Sequence, residues 1–161
     1  DLIIIPFRGF QALVETQDAL SALNRAKRHL SPKGLFILDL FAIAPFNRGL
    51  DDFQERIEWK RRDPQTGAEI VRARIAGAWD SRRQRINPTT IYYVNYPDGR
   101  SERIDDRFSL RYYYQQQMEI LLVASGFTIV EEFGDYLGAP IGVGPEQVFV
   151  CAHPQEPKLL G

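Results

Sequence analysis

Several things that proteins use to declare themselves are scarce in this sequence. Its 161 residues include a single cysteine, Cys151, so neither an internal disulfide nor a cysteine-rich metal site is available. A lone thiol fits a reducing, cytoplasmic setting. The formal charge is only -1, which leaves no surplus of Lys and Arg to grip a phosphate backbone, and nucleic acid is excluded as the main partner. No apolar run approaches the roughly 20 residues of a membrane span, and no basic-plus-apolar leader precedes the first strand, so no membrane partner is expected. Internal repeats are missing, and so is any His, Cys or carboxylate spacing that would hold a metal. A polar lead-in is missing too: the chain opens on Asp1-Leu2-Ile3-Ile4-Ile5, which reads as a buried strand and predicts that something upstream is absent.

What is present is the balance of a globular protein, 44% apolar and 25% charged, sufficient for one domain or a little more. The organising stretch is LSPKGLFILDLF, residues 30–41. Ser31-Pro32-Lys33-Gly34 cannot continue a helix, because proline disfavours helical geometry in the residue before it and glycine accommodates the reversal. Leu35 to Leu38 then run apolar without alternation, which predicts a strand covered on both faces in an α/β sheet. Asp39 stands at the carboxyl end of that strand, where open α/β sheets bind ligands.

Around it, Leu2 to Ile5 reads as a strand ended by Pro6, with Gly9 supplying the sharp turn. A helix follows from Thr16, capped by that hydroxyl, with Leu20, Leu23, Ala26 and Leu30 on one stripe. A crossover helix between two strands predicts that they are parallel. From residue 52 the texture changes to Val-, Ile-, Thr- and Tyr-rich runs separated by turn clusters such as Asp63-Pro64-Gln65-Thr66-Gly67 and Tyr96-Pro97-Asp98-Gly99, the pattern of an antiparallel meander. Gln115 to Ser125 reads as a helix stopped by Gly126, and residues 127–133 and 147–152 as an antiparallel strand pair. Phe41 and Phe46 read as packing residues. The fold class is α/β: a partial Rossmann-like sheet of parallel strands with a terminal antiparallel hairpin, and an inserted antiparallel lid. The expected divisions are 1–51 (core), 52–110 (lid or substrate subdomain) and 111–161 (core resumed).

Three stretches, DLIIIPFRGFQAL (1–13), LSPKGLFILDLF (30–41) and LRYYYQQQMEILLVASGFTIVEEFGDY (110–136), together resemble the C-terminal portion of a class I S-adenosylmethionine-dependent methyltransferase with a β-rich insertion. The resemblance spans nearly the whole chain, with residues 52–108 similar only in kind. It implies S-adenosyl-L-methionine as cofactor and a small-molecule methyl acceptor reacting through N, O or C. The family's glycine-rich loop and the acid ending its second strand have no counterpart. Gly142-Val143-Gly144 precedes a strand rather than a helix, so weak or absent cofactor binding is expected.

The resemblance also implies site residues. Phe7, Phe10 and Gln11 fall where the cofactor is held; the two rings suit adenine or a sulfonium, or else pack as ordinary core. Arg8, Arg111, Asp135 and Tyr136 fall where the acceptor binds. Asp39 and Tyr113 are the catalytic candidates, Asp39 as a hydrogen-bond or proton acceptor or else a cap on backbone amides, Tyr113 as a wall screening the reaction from water or else a buried hairpin partner. No metal ligand is expected. Two functions are compatible with this: the substrate-side portion of such an enzyme, inactive without the missing part, or a non-catalytic ligand-binding or dimerising module. In either case an exposed sheet edge predicts homo-oligomers.

Overall fold

The computed structural model describes residues 1–43 and 51–154; Phe46 lies outside them. The described residues fall into two compact units, one made of 1–43 with 111–154, the other of 51–110.

In the first unit β1 (Leu2–Ile5) leads through a 3₁₀ turn (Gly9–Ala12) to α1 (Thr16–His29) and β2 (Leu35–Phe41). The chain returns through the two-residue β7 (Leu110–Arg111), a strand of the other sheet, to α2 (Gln115–Ala124), β8 (Thr128–Phe133) and β9 (Glu146–Ala152). The sheet order is β1-β2-β9-β8. β1 and β2 are parallel, with Leu2 opposite Leu35 and Ile5 opposite Leu38, as a crossover helix requires. β9 runs antiparallel to β2, pairing Leu38 with Phe149 and Asp39 with Val148, and β8 closes the edge antiparallel to β9. This is the mixed sheet of an α/β fold.

Period-two alternation decides which side chains meet the helices. Phe36, Leu38 and Leu40 of β2, with Phe149 and Cys151 of β9, share one cluster with Ala19, Leu23, Ala26 and Leu30 from the α1 side and Met118 and Leu122 of α2. Both helices therefore cover the same face of the sheet. Cover on both faces is not what the described residues show: Leu2 and Ile4 are 56% and 55% exposed, and Leu35 is also exposed. An unbroken apolar run shows that a strand is central without showing how many helices serve it.

Two local expectations also shift. Thr16 is the first residue of α1 but not its cap; Glu15 holds that position, and the Thr16 hydroxyl accepts a hydrogen bond from Arg111 at 2.7 Å instead. The left-handed backbone after β1 falls on Phe7 and Arg8, at φ 57° and 61°, and not on Gly9. By contrast Gly126, at φ 81°, ends α2 as its sequence position demands.

The second unit contains β3 (Arg56–Arg62), β4 (Glu69–Asp80), β5 (Arg85–Asn95) and β6 (Ser101–Arg107), each antiparallel to the next. Its turns are set by local acids. Asp63 accepts the amides of Gln65 and Thr66 at 3.2 Å each, and Gly67 follows at φ 70°. Arg72 lies over the ring of Tyr92 at 5.9 Å, and Arg103 over Tyr93 at 5.5 Å.

Candidate active site

The carboxyl ends of β1 and β2 face the loop between β8 and β9, and a cavity of about 350 Å³ opens there, lined by Pro6, Phe7, Arg8, Asp39, Tyr136 and Glu146. Four of these six, Phe7, Arg8, Asp39 and Tyr136, were expected at a site from the sequence. They come together because Asp39 acts as a hub. Its Oδ2 accepts the backbone N–H of Arg8 at 2.9 Å and the Tyr136 hydroxyl at 2.8 Å. Its Oδ1 takes no hydrogen bond from any described residue. Asp39 is 5% exposed, so that oxygen is a nearly buried acceptor left open to the cavity.

The hydrogen bond to the Arg8 amide also explains the backbone. Consecutive left-handed, non-glycine residues are strained, and such conformations persist only where the surroundings over-determine them. Here the Asp39 carboxylate fixes the amide, Gly9 N–H bonds back to Pro6 carbonyl at 3.1 Å, and the Arg8 guanidinium is held on Glu146 by two hydrogen bonds, one from Nε at 3.1 Å and one from Nη2. The consequence is a Phe7 ring thrown outward, 92% exposed, at the cavity wall.

Electrostatically the pocket is a chain of alternating charge. The hydrogen bond to Glu146 raises the pKa of the Arg8 guanidinium, so Arg8 stays charged. Burial first, then donation to Asp39, pushes the Tyr136 hydroxyl up to about 12. Tyr136 is therefore a hydrogen-bond donor at neutral pH and not a base. Two carboxylates against one guanidinium leave the lining with one net negative charge.

Other expected site residues go elsewhere. Phe10 and Gln11 are fully buried, and Tyr113 nearly so, with its ring 5.7 Å from that of Phe10. Gln11 accepts the Phe41 amide at 2.9 Å and donates to the Arg111 carbonyl at 3.1 Å, tying the end of β2 to the segment before α2. These three differ from the expectation in lying in the core and outside the cavity's lining, and burial raises the Tyr113 hydroxyl pKa further from use as a base. Arg111 lies over the Tyr113 ring at 5.1 Å and donates to Thr16. Asp135 accepts the Ala139 and Leu137 amides at 2.9 and 2.8 Å, which hold its carboxyl below the usual range and shape the loop. Glu146 was missed. The only signal was an acid opening a strand that turns apolar after Gln147, and its partner lies 138 positions away. Cys151 is no nucleophile, since burial pushes its thiol up to about 12. Among the described residues no group of three potential metal ligands occurs, and no helix is long and apolar enough to cross a membrane.

No family model and no curated protein matches the sequence. Solved structures do match its shape. A methyltransferase dependent on S-adenosylmethionine from Clostridium acetobutylicum superposes with a TM-score of 0.74 at 14% identity, over 96% of this chain and 58% of that one. The chain has the S-adenosylmethionine-dependent methyltransferase fold. A sugar N-methyltransferase from Streptoalloteichus gives 0.72 at 15% identity over 96% of this chain and 56% of its own. An amino pentose methyltransferase from Micromonospora echinaspora, solved with S-adenosylmethionine bound, gives 0.71 at 14% over 95% and 58%. The chain thus spans somewhat more than half the length of the methyltransferases it matches. In this methyltransferase fold, Asp39 and its cavity occupy the carboxyl edge of the parallel strands, where α/β sheets bind their ligands.

Proposed function

We propose that the chain supplies the acceptor-side part of a methyltransferase that uses S-adenosylmethionine to methylate a small molecule on N, O or C. The observation that carries this is Asp39, a nearly buried carboxylate at the end of a parallel strand with one oxygen open to a cavity. Such an oxygen can align an N–H or O–H acceptor and receive its proton, while the Tyr136 hydroxyl and the Arg8 amide fix the carboxylate's orientation. Support comes also from the shared fold and from the sugar and amino pentose acceptors named for two structural relatives.

Among the described residues, one of the three expected to hold the cofactor lines the cavity. Phe10 and Gln11 lie in the core, and only Phe7 is open. Titration of the full chain with S-adenosylhomocysteine in a calorimeter is therefore expected to give little or no heat. A micromolar dissociation constant would contradict that. With methyl donor in large excess, mass spectrometry of a panel of small amines, alcohols and carbon acids is expected to show slow methylation that falls about 10²-fold or more in Asp39→Asn. Product formed at the same rate by Asp39→Asn would remove Asp39 from the chemistry.

A second reading, a ligand-binding or self-associating module without catalysis, is favoured by the core placement of Phe10 and Gln11 and by the exposed Leu2 and Ile4 on β1. Complete absence of methylated product at every donor concentration, with ligand binding retained, would select it.

A further inference from the structure

We infer that the Asp39 cavity is an ammonium site, built for an amine carried on an apolar or aromatic body. Three features of the lining converge on that chemistry. The first is charge: Asp39 and Glu146 face a single cation, Arg8, and Glu146 has already closed both its oxygens on the Arg8 guanidinium. Arg8 keeps its Nη1 donors on a half-exposed guanidinium, but the lining still carries one net negative charge, and an incoming cation meets the open Oδ1 of Asp39. The second is donor and acceptor count. The Tyr136 hydroxyl and the Arg8 amide both spend their hydrogens on Oδ2, so at Asp39 the cavity offers its ligand a carboxylate acceptor, with the Arg8 Nη1 the donor left on its lining. A ligand that arrives as a donor satisfies the carboxylate; one that arrives as an acceptor does not. The third is the wall. Pro6, Phe7 and Tyr136 present ring surfaces, and the outward Phe7 ring is fixed by the strained turn described above. Aromatic faces stabilise a neighbouring ammonium and the hydrocarbon attached to it. A polyhydroxylated body gains less than an aromatic one from these ring surfaces.

This deepens the methyl-transfer reading and rests on it for one point only, that the bound amine is the methyl acceptor. Binding is measurable without any methyl donor. The test titrates the full chain, followed by NMR chemical shifts of the Phe7 and Tyr136 rings, with benzylamine, benzyl alcohol, benzoate and glucosamine at neutral pH. Benzylammonium is expected to bind about tenfold or more tightly than benzyl alcohol, because a charge-assisted hydrogen bond to a shielded carboxylate is worth roughly twice a neutral one. Benzoate is expected to give no shifts, and glucosamine weaker binding than benzylammonium. Asp39→Asn is expected to erase the preference of amine over alcohol. Phe7→Ala, at a position so exposed that folding is unaffected, is expected to weaken benzylammonium severalfold and glucosamine hardly at all.

Equal affinity for amine and alcohol, binding of benzoate, or tighter binding of glucosamine than of benzylammonium would each overturn the inference. So would benzylammonium binding that is unchanged in both variants. If ammonium binding holds but no acceptor is ever methylated, the methyl-transfer reading falls and the ammonium site stands. Methylation of alcohols or carbon acids without ammonium binding has the opposite meaning.

Discussion

A phenol that donates to a carboxylate loses its proton reluctantly, and Tyr136 combines that partner with partial burial. Its folded-state pKa of about 12 lies above the ordinary value of 10.0, so the neutral phenol is favoured by folding. Its contribution to stability is complete below pH 10, declines between 10 and 12, and is lost above. Ultraviolet titration of phenolate formation is expected to show a late-ionising component that loses one tyrosine in Tyr136→Phe and moves down in part in Asp39→Asn. Gln11 makes a different prediction. Gln11→Ala leaves the part-buried Phe41 amide and Arg111 carbonyl without their partner, and urea unfolding is expected to register a loss of about 1–3 kcal/mol. Asp39 was legible in the sequence because a charge that interrupts an apolar run is conspicuous. The burial of Gln11 was not, because its two partners lie 30 and 100 positions away and no local pattern encodes them.

The loop between β8 and β9 behaves as a strapped unit. Gly134 donates to the Ala139 carbonyl at 2.7 Å and accepts from the Glu146 amide at 2.9 Å, drawing the loop's two ends together. Gly144 sits against this crossing so closely that an added Cβ would stand 2.0 Å from the Gly134 carbonyl oxygen. Gly144→Ala is expected to destabilise the protein by about 1–3 kcal/mol, since the obstacle is backbone and cannot rotate away. It should also speed hydrogen exchange at Ala139 and Glu146 and lower the Tyr136 pKa toward that of free tyrosine. An unchanged Tyr136 titration in a destabilised Gly144→Ala would show that the loop and the pocket are uncoupled. Strands, helices and the stop at Gly126 were readable from periodicity and punctuation. The turn at Phe7 and Arg8 was not: glycine marks where left-handed backbone is easy, whereas Asp39 and Glu146 impose it where it is difficult.

On the scale of the molecule, the parallel pairing of β1 with β2 followed from the helix between them, and the insertion followed from the change of texture near residue 52. The one-sided cover of the first sheet did not follow, since an apolar run looks alike whether one or two layers pack on it. The uncovered side carries Leu2, Ile4 and Leu35, and β1 forms one edge of its sheet. Uncharged edge strands invite pairing with another copy. Light scattering over a concentration series is expected to show association that Ile4→Lys suppresses. A monomer at every concentration would place that surface among tolerated apolar patches.

The order of strands in space also sets an order in time. β9, the last of the described strands, lies between β2 and β8, so until residues 146–152 are available β2 can pair only with β1 and β8 has no neighbour in its sheet. The hairpins of residues 51–110 depend only on close neighbours in sequence and can form as they leave the ribosome. During synthesis the meander would thus mature first, while Leu35 to Leu40 waits without its central partner, the interval in which a chaperone would matter most.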